Sequence, residues 1–202
     1  MLFRILVAWL LLALPAAADE DQLWDLLAAQ TAMAGEFEQL LYDEEGELVE
    51  RSSGRYAVLR PGYFRWEIST PDRQLLLVSG DQLWHYDVDL ATATRRDSSG
   101  DRDLAALELL SSEPGRLRER FAVTELGESH YRLEPTYAGA GFAAVDMRWS
   151  EGRLTAMNVV DRSGQRLQLA LDPDAAVGPS LSPDDFRFVI PDGVEVYYDD
   201  GA

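Results

Sequence analysis

Few residues in the chain stand in a pattern that does chemistry. The two histidines, His85 and His130, stand on stretches of alternating polarity, and neither has a metal-ligand partner at a recognisable interval. There is no cysteine, so disulfides and thiolate chemistry are excluded and a soft-metal site is disfavoured. No G-x-S-x-G elbow, P-loop, G-x-G-x-x-G or H-E-x-x-H occurs. Asp172-Pro173-Asp174 and Pro183-Asp184-Asp185 read as turns rather than paired catalytic carboxylates, and Asp199-Asp200 as a solvated acidic terminus. No cofactor is implied, and an esterase or lipase would lack a nucleophile with its base. The sharpest single candidate is Arg60, just before Pro61, whose planar fork of donors at the rim of an apolar space would suit backbone carbonyls of a covering loop. Pairing with one of the many carboxylates is the plainer alternative.

The rest of the sequence is spent on apolar surface. The 202 residues are 47% hydrophobic, enough for one domain with a good core. A net charge of -18, with arginine the only basic side chain besides histidine and no lysine, opposes nucleic acid and tight docking on anionic lipid. Residues 1–18 read as a cleavable secretory signal peptide: Arg4 gives a positive start, ILVAWLLLAL an apolar run, and Ala16-Ala17-Ala18 a small-residue cleavage site. That run is shorter than the roughly 18 residues of a spanning helix. Residues 19–202 are then a single exported domain. Without a cysteine after the signal peptide to carry lipid, it is expected unanchored in the periplasm of a Gram-negative cell.

Periodicity assigns the elements. Residues 19–35 place Leu23, Leu26, Leu27, Gln30 and Met33 at helical spacing, with Asp19 or Asp21 as cap and Gly35 as the stop. Residues 36–60 read as two strands joined at Asp43-Glu44-Glu45-Gly46. Phe64, Trp66 and Ile68 then share a strand face, QLLLVS is apolar on both faces, and residues 82–87 form a further strand. Residues 103–110 and 114–120, the latter behind a Ser112 cap, read as short helices. Strands follow at 121–126, 130–135, 142–150, 153–161 and 165–171, and Phe186, Phe188 and Ile190 alternate before Pro191-Asp192-Gly193. The fold class is mainly β with α. About ten short strands at this spacing argue for a barrel or a sandwich, and a sheet of that size that curled without closing, with helices laid across its opening, would enclose a concave apolar space. Leu27, Met33, Phe64, Trp66, Ile68, Trp84, Met147 and Trp149 are the candidate lining and lid residues, each of which packing alone would also explain.

Five pieces in order carry a resemblance: F-x-Q at 37–39, R-P-x-x-F-x-W at 60–66, P-x-x-Q-L-L-L-V-S at 71–79, L-W-x-Y-D at 83–87 and F-x-F-x-x-P-x-G-V-x-V at 186–196. Together they resemble the LolA family of periplasmic outer-membrane lipoprotein carriers over nearly the whole mature chain. The resemblance implies an incomplete, open antiparallel β-barrel with a helical lid over a hydrophobic cavity. By position, Arg60 matches a lid-latching arginine, Phe64 a cavity phenylalanine, Leu27 a lid-helix residue that helps close the cavity, and Trp66 a cavity-lining aromatic. The implied partners are acylated lipoprotein cargo, an inner-membrane ABC-type lipoprotein-releasing complex and an outer-membrane receptor of the LolB type, with cargo bearing the retention signal, Asp after the lipidated Cys, left behind. A monomer suits a cavity that faces two partners in turn. Ser79-Gly80-Asp81 departs from the family's usual S-D-G, the chain stops soon after its last strand, and arginine alone makes basic contacts. The alternative from another class is a related lipid- or glycolipid-binding module of another export or envelope-sensing route.

Overall fold

Alternation of buried and exposed side chains takes over the chain at Ala32 and dictates a sheet. The computed structural model describes residues 18–97, 109–174 and 180–199. Helix α1 (Ala18–Ala29) precedes β1 (Ala32–Tyr42), β2 (Leu48–Leu59), β3 (Tyr63–Thr70), β4 (Gln74–Ser79), β5 (Gln82–Asp87) and β6 (Thr92–Asp97). A helical turn at 109–111 leads to α2 (Pro114–Arg120), then β7 (Phe121–Gly127), β8 (His130–Pro135), β9 (Phe142–Ser150), β10 (Arg153–Asp161) and β11 (Arg166–Pro173). A 3-10 turn (Pro183–Phe186) and β12 (Glu195–Asp199) follow. The sheet is twelve-stranded in the order β12-β6-β5-β4-β3-β2-β1-β11-β10-β9-β8-β7, with β12 and β7 at its two ends. It is an open barrel, as expected. Every pairing is antiparallel except that of β12 with β6, which is parallel.

The boundary between α1 and β1 differs from expectation. The helix stops at Ala29, and Met33 lies on β1 opposite Val58. Met33 and Phe37 are buried while Glu36 and Glu38 are exposed, a two-residue period that outweighs the helical spacing of Met33 with Leu26 and Leu27. Gly35 is therefore not a helix stop. It marks a close approach of β11, because a Cβ there would sit 2.1 Å from the Asp172 carbonyl oxygen.

Other differences are local. Glu113, not Ser112, takes the N-cap position of α2, and its side chain makes no capping bond. Of the helix expected over 103–110, residues 103–108 lie outside the described residues, as do residues 1–17 of the signal peptide expected over 1–18. Strand β6 went unread because its one buried side chain is Ala93, too small to give an alternation signal. The alternation of Phe186, Phe188 and Ile190 is not that of one strand: Phe186 closes the 3-10 turn fully buried, whereas Ile190 is 44% exposed.

Strand β4 explains the arrangement. Leu76 and Val78 face inward, toward a cluster that includes Leu23, Trp24 and Leu27 of α1. Leu75 and Leu77 face outward, into a second cluster with Trp84, Ala93 and Phe186. The C-terminal segment straps this outer face: the Tyr63 and Phe186 rings lie 5.5 Å apart and those of Trp84 and Phe188 4.7 Å. Apolarity on both faces of QLLLVS thus has two causes, the helices inside and the strap outside.

Phe186→Ala is expected to lower unfolding stability by about 3–5 kcal/mol, because the strap's one fully buried aromatic would leave a cavity between sheet and segment. Ile190→Ala should shift it by no more than about 0.5 kcal/mol. Urea unfolding followed by tryptophan fluorescence checks both, and an equal response of the two would remove the distinction between anchor and exposed flank.

Candidate functional site

The turn between β2 and β3 carries Arg60, the one buried charge among the described residues. Pro61 holds the backbone there, Arg60 N–H donates to the Thr31 carbonyl at 2.7 Å, and the side chain runs under the helices with only 9% of its surface exposed. Its guanidinium Nε donates to the Leu110 carbonyl at 2.8 Å, Nη1 to the Leu27 carbonyl at 3.2 Å and Nη2 to the Leu109 carbonyl at 3.1 Å. One residue beyond Pro61, Gly62 N–H donates to the Ser111 carbonyl at 2.9 Å. Among the described residues Arg60 forms no salt bridge, so the carboxylate alternative raised by the sequence gives way to a carbonyl set.

Helix geometry makes these acceptors available. The last carbonyls of a helix have no partner within it and carry the negative end of the helix dipole. Leu27 is in the last turn of α1, and Leu109 and Leu110 are in the helical turn that ends at residue 111. A single guanidinium thus satisfies orphan carbonyls of two separate helical ends and ties both to the sheet. Burial lowers the Arg60 pKa to about 10, so the group remains a cation at neutral pH with helix dipoles in place of a counter-ion.

Beneath this tie the interior is apolar. Leu27 is 0% exposed and Phe64 2%, and the ring centroids of Trp66 lie 3.7 Å from Phe37 and 5.7 Å from Phe64. Met33, Phe64, Trp66, Met147 and Trp149 join Leu27 in this cluster, with Ile68 packed against it. Trp84 does not. Its neighbour Leu83 points inward, which places the Trp84 indole on the outer face against Phe188, so it is removed from the candidate lining. The histidines stay apart from the interior as well: His85 is exposed, with Nε2 3.3 Å from Gln74 Oε1, and His130 lines an outer cleft. The outer cleft of about 530 Å³ is lined by charged side chains, among them Glu36, Arg55, Arg65, Glu67 and Asp172. No group of three or more potential metal ligands occurs among the described residues.

The sequence profile of the family described as outer membrane lipoprotein carrier protein LolA matches residues 28–189. The chain belongs to the LolA family. It is 34% identical over 199 residues to an outer-membrane lipoprotein carrier protein of Halorhodospira halophila, an alignment covering 96% of this chain and 93% of the relative. With the protein of that description from Azotobacter vinelandii it shares 31% over 203 residues, covering 96% and 98%. A crystal structure of a conserved protein from Thermus thermophilus superposes with a TM-score of 0.53 at 15% identity, covering 89% of this chain and 99% of the other. At that identity the likeness concerns the fold alone.

In this LolA-family chain the residues matched by resemblance converge: Arg60 bonds the backbone of Leu27, and Leu27, Phe64 and Trp66 share one cluster. Sequence reading missed Tyr56 and Trp24, both buried in that cluster, and the carbonyl partners at 109 and 110. Tyr56 was accessible as the inward residue two places before Val58 on β2. The carbonyls were not, since backbone acceptors leave no mark in a sequence.

Arg60→Leu should keep the sheet but loosen both helical ends. Losing charge-assisted bonds worth about 1.5–3 kcal/mol predicts amide exchange in α1 and at 109–111 faster by roughly ten- to hundredfold, with β2 to β4 unaffected. Hydrogen–deuterium exchange resolved by segment reads this, and uniform acceleration across the sheet would assign Arg60 a general role in stability instead.

Proposed function

We propose that the chain is a periplasmic carrier that takes acylated lipoproteins released from the inner membrane, shields their acyl chains and delivers them to the outer membrane. The observation that carries this reading is the Arg60 closure: an apolar interior covered by helices whose ends are held by hydrogen bonds from one side chain. Family membership and the descriptions of the relatives support it.

The physical case is independent of those descriptions. Each methylene moved from water into an apolar site is worth about 0.8 kcal/mol, so long acyl chains need cover to cross an aqueous compartment. Delivery needs that cover to open. A few polar contacts, each worth about 0.5–3 kcal/mol, close the lid without fixing it, and cargo then passes to a receptor of higher affinity by difference in binding alone. Nucleotide hydrolysis belongs to an inner-membrane ABC-type releasing complex, and the end point to a LolB-type receptor. The carrier needs no catalytic group. In this reading residues 1–18 are the export signal, the mature chain is a monomeric single domain, and lipoproteins with the inner-membrane retention signal are not taken up.

The test is native mass spectrometry of the mature protein isolated from the periplasm of its own cells. Co-purified triacylated lipoproteins, displaced by a long-chain fatty-acid probe and depleted several-fold in Phe64→Glu at unchanged strand content by circular dichroism, are the expected result. Free lipid without lipoprotein would reassign the chain to a lipid-binding module of another envelope route. An empty protein indifferent to the probe would reduce the interior to packing.

A further inference from the structure

Among the described residues, three donors inside the apolar interior have no acceptor. Trp24, Tyr56 and Trp149 are 5%, 3% and 6% exposed and all belong to the cluster under the helices. Trp24 Nε1, Tyr56 Oη and Trp149 Nε1 are buried without a hydrogen-bond partner among the described residues, as is Ser52 Oγ four residues before Tyr56 on β2. Buried polar groups in folded proteins are nearly always paired, because an unpaired one keeps its full desolvation cost. Phenylalanine would fill the place of Tyr56 without that cost. Packing therefore explains the rings and not their polar atoms.

Their chemistry restricts what they would meet. An indole N–H only donates, and burial, then the charge of Asp172, push the Tyr56 phenol up to about 12, so it too keeps its proton at neutral pH. The interior presents donors to a ligand that brings acceptors. A free carboxylate is poorly suited, since Arg60, the one buried cation among the described residues, already engages three carbonyls. An ester carbonyl suits: it accepts, it is uncharged, and it sits at the head of the hydrocarbon chain that the surrounding side chains would cover.

We infer that Tyr56, with Trp24 and Trp149 as further donors, binds the ester carbonyls that join acyl chains to a glyceryl group, so that the interior reads an acyl ester rather than hydrocarbon alone. This rests on the carrier reading and gives it a selectivity. The same diacylglyceryl chemistry occurs in an acylated lipoprotein and in a phospholipid.

Two matched probe pairs test it by competition for a fluorescent fatty-acid analogue. One pair is a dipalmitoylglyceryl-cysteine peptide and its dihexadecyl ether counterpart, which has the chains without the carbonyls. The other is phosphatidylglycerol in diester and diether forms. The full mature protein is expected to bind the diester lipopeptide roughly three- to tenfold more tightly than the diether, the discrimination a hydrogen bond gives. Tyr56→Phe should close most of that gap while leaving the free protein as stable as before or more so, a combination that a structural role for the hydroxyl would not produce. Trp149→Phe should narrow the gap further. A gap confined to the lipopeptides assigns the ester to lipoprotein cargo, and equal gaps in both pairs assign it to diacylglyceryl lipids generally. Equal affinity of ester and ether for the unmodified protein, or a gap that both variants leave intact, overturns the inference while the carrier reading stands. Failure of both lipopeptides to bind overturns the carrier reading and the inference with it.

Discussion

A cation buried without a counter-ion organises this molecule. Charge is costly to desolvate, and Arg60 persists under the helices because three carbonyls at helical ends replace water around its guanidinium. The dependence runs both ways: those carbonyls are the acceptors that α1 and the 109–111 turn leave unsatisfied, so the helical cover is completed by a residue of the sheet. Cover and barrel are thus joined at a point by directional contacts and elsewhere by apolar packing. Directional contacts are lost together when the guanidinium moves, whereas packing decreases gradually with separation. In the carrier reading proposed above, a lid attached in this way would have two states rather than a continuum of partial openings.

A moving cover requires a wall that does not move with it. The inner face of β3 and β4 carries Phe64, Trp66 and Val78, and if that face alone were buried, lifting the helices would expose much of the strands' apolar contact. The strap removes that vulnerability. Phe186, Phe188 and the parallel strand β12 bury Leu75, Leu77 and Trp84 from the other side, so this half of the sheet keeps a core of its own. The opposite half has no such strap among the described residues, and there the ion pair between Arg132 and Asp146, 2.6 Å apart on neighbouring strands, ties β8 to β9. The Arg132 guanidinium holds the Asp146 carboxyl below the usual carboxylate range.

How far the sequence foretold this depends on where the information resides. Two-residue alternation and glycine turns located most strands to within a residue or two, because burial on one face writes itself into side-chain type. Met33 was misplaced because it fits the helical spacing of Leu26 and Leu27 as well as the two-residue period it shares with Phe37, and only pairing with Val58 decides between them. Trp84 was misplaced for a related reason: both faces of that region are apolar, so hydrophobicity no longer tells inside from outside. For Arg60 the residue was legible and its partners were not. Carbonyls belong to every residue alike, and which of them point at a guanidinium is settled only by where the helices end.

In the proposed reading, the interior donors and the Arg60 contacts would act on the same equilibrium. With the helices closed, Arg60 is satisfied while Tyr56 Oη, Trp24 Nε1 and Trp149 Nε1 are not. The closed protein without ligand therefore retains a polar penalty that water would relieve on opening and that acceptors on a ligand would relieve without it. Acyl chains alone would add hydrophobic gain but leave the penalty in place. A ligand with carbonyls at the head of its chains removes both deficits at once, so it favours the closed, loaded form over the closed, empty one by more than its hydrocarbon area gives. Selectivity and closure are then one effect, set by a few unpaired atoms in an otherwise apolar wall.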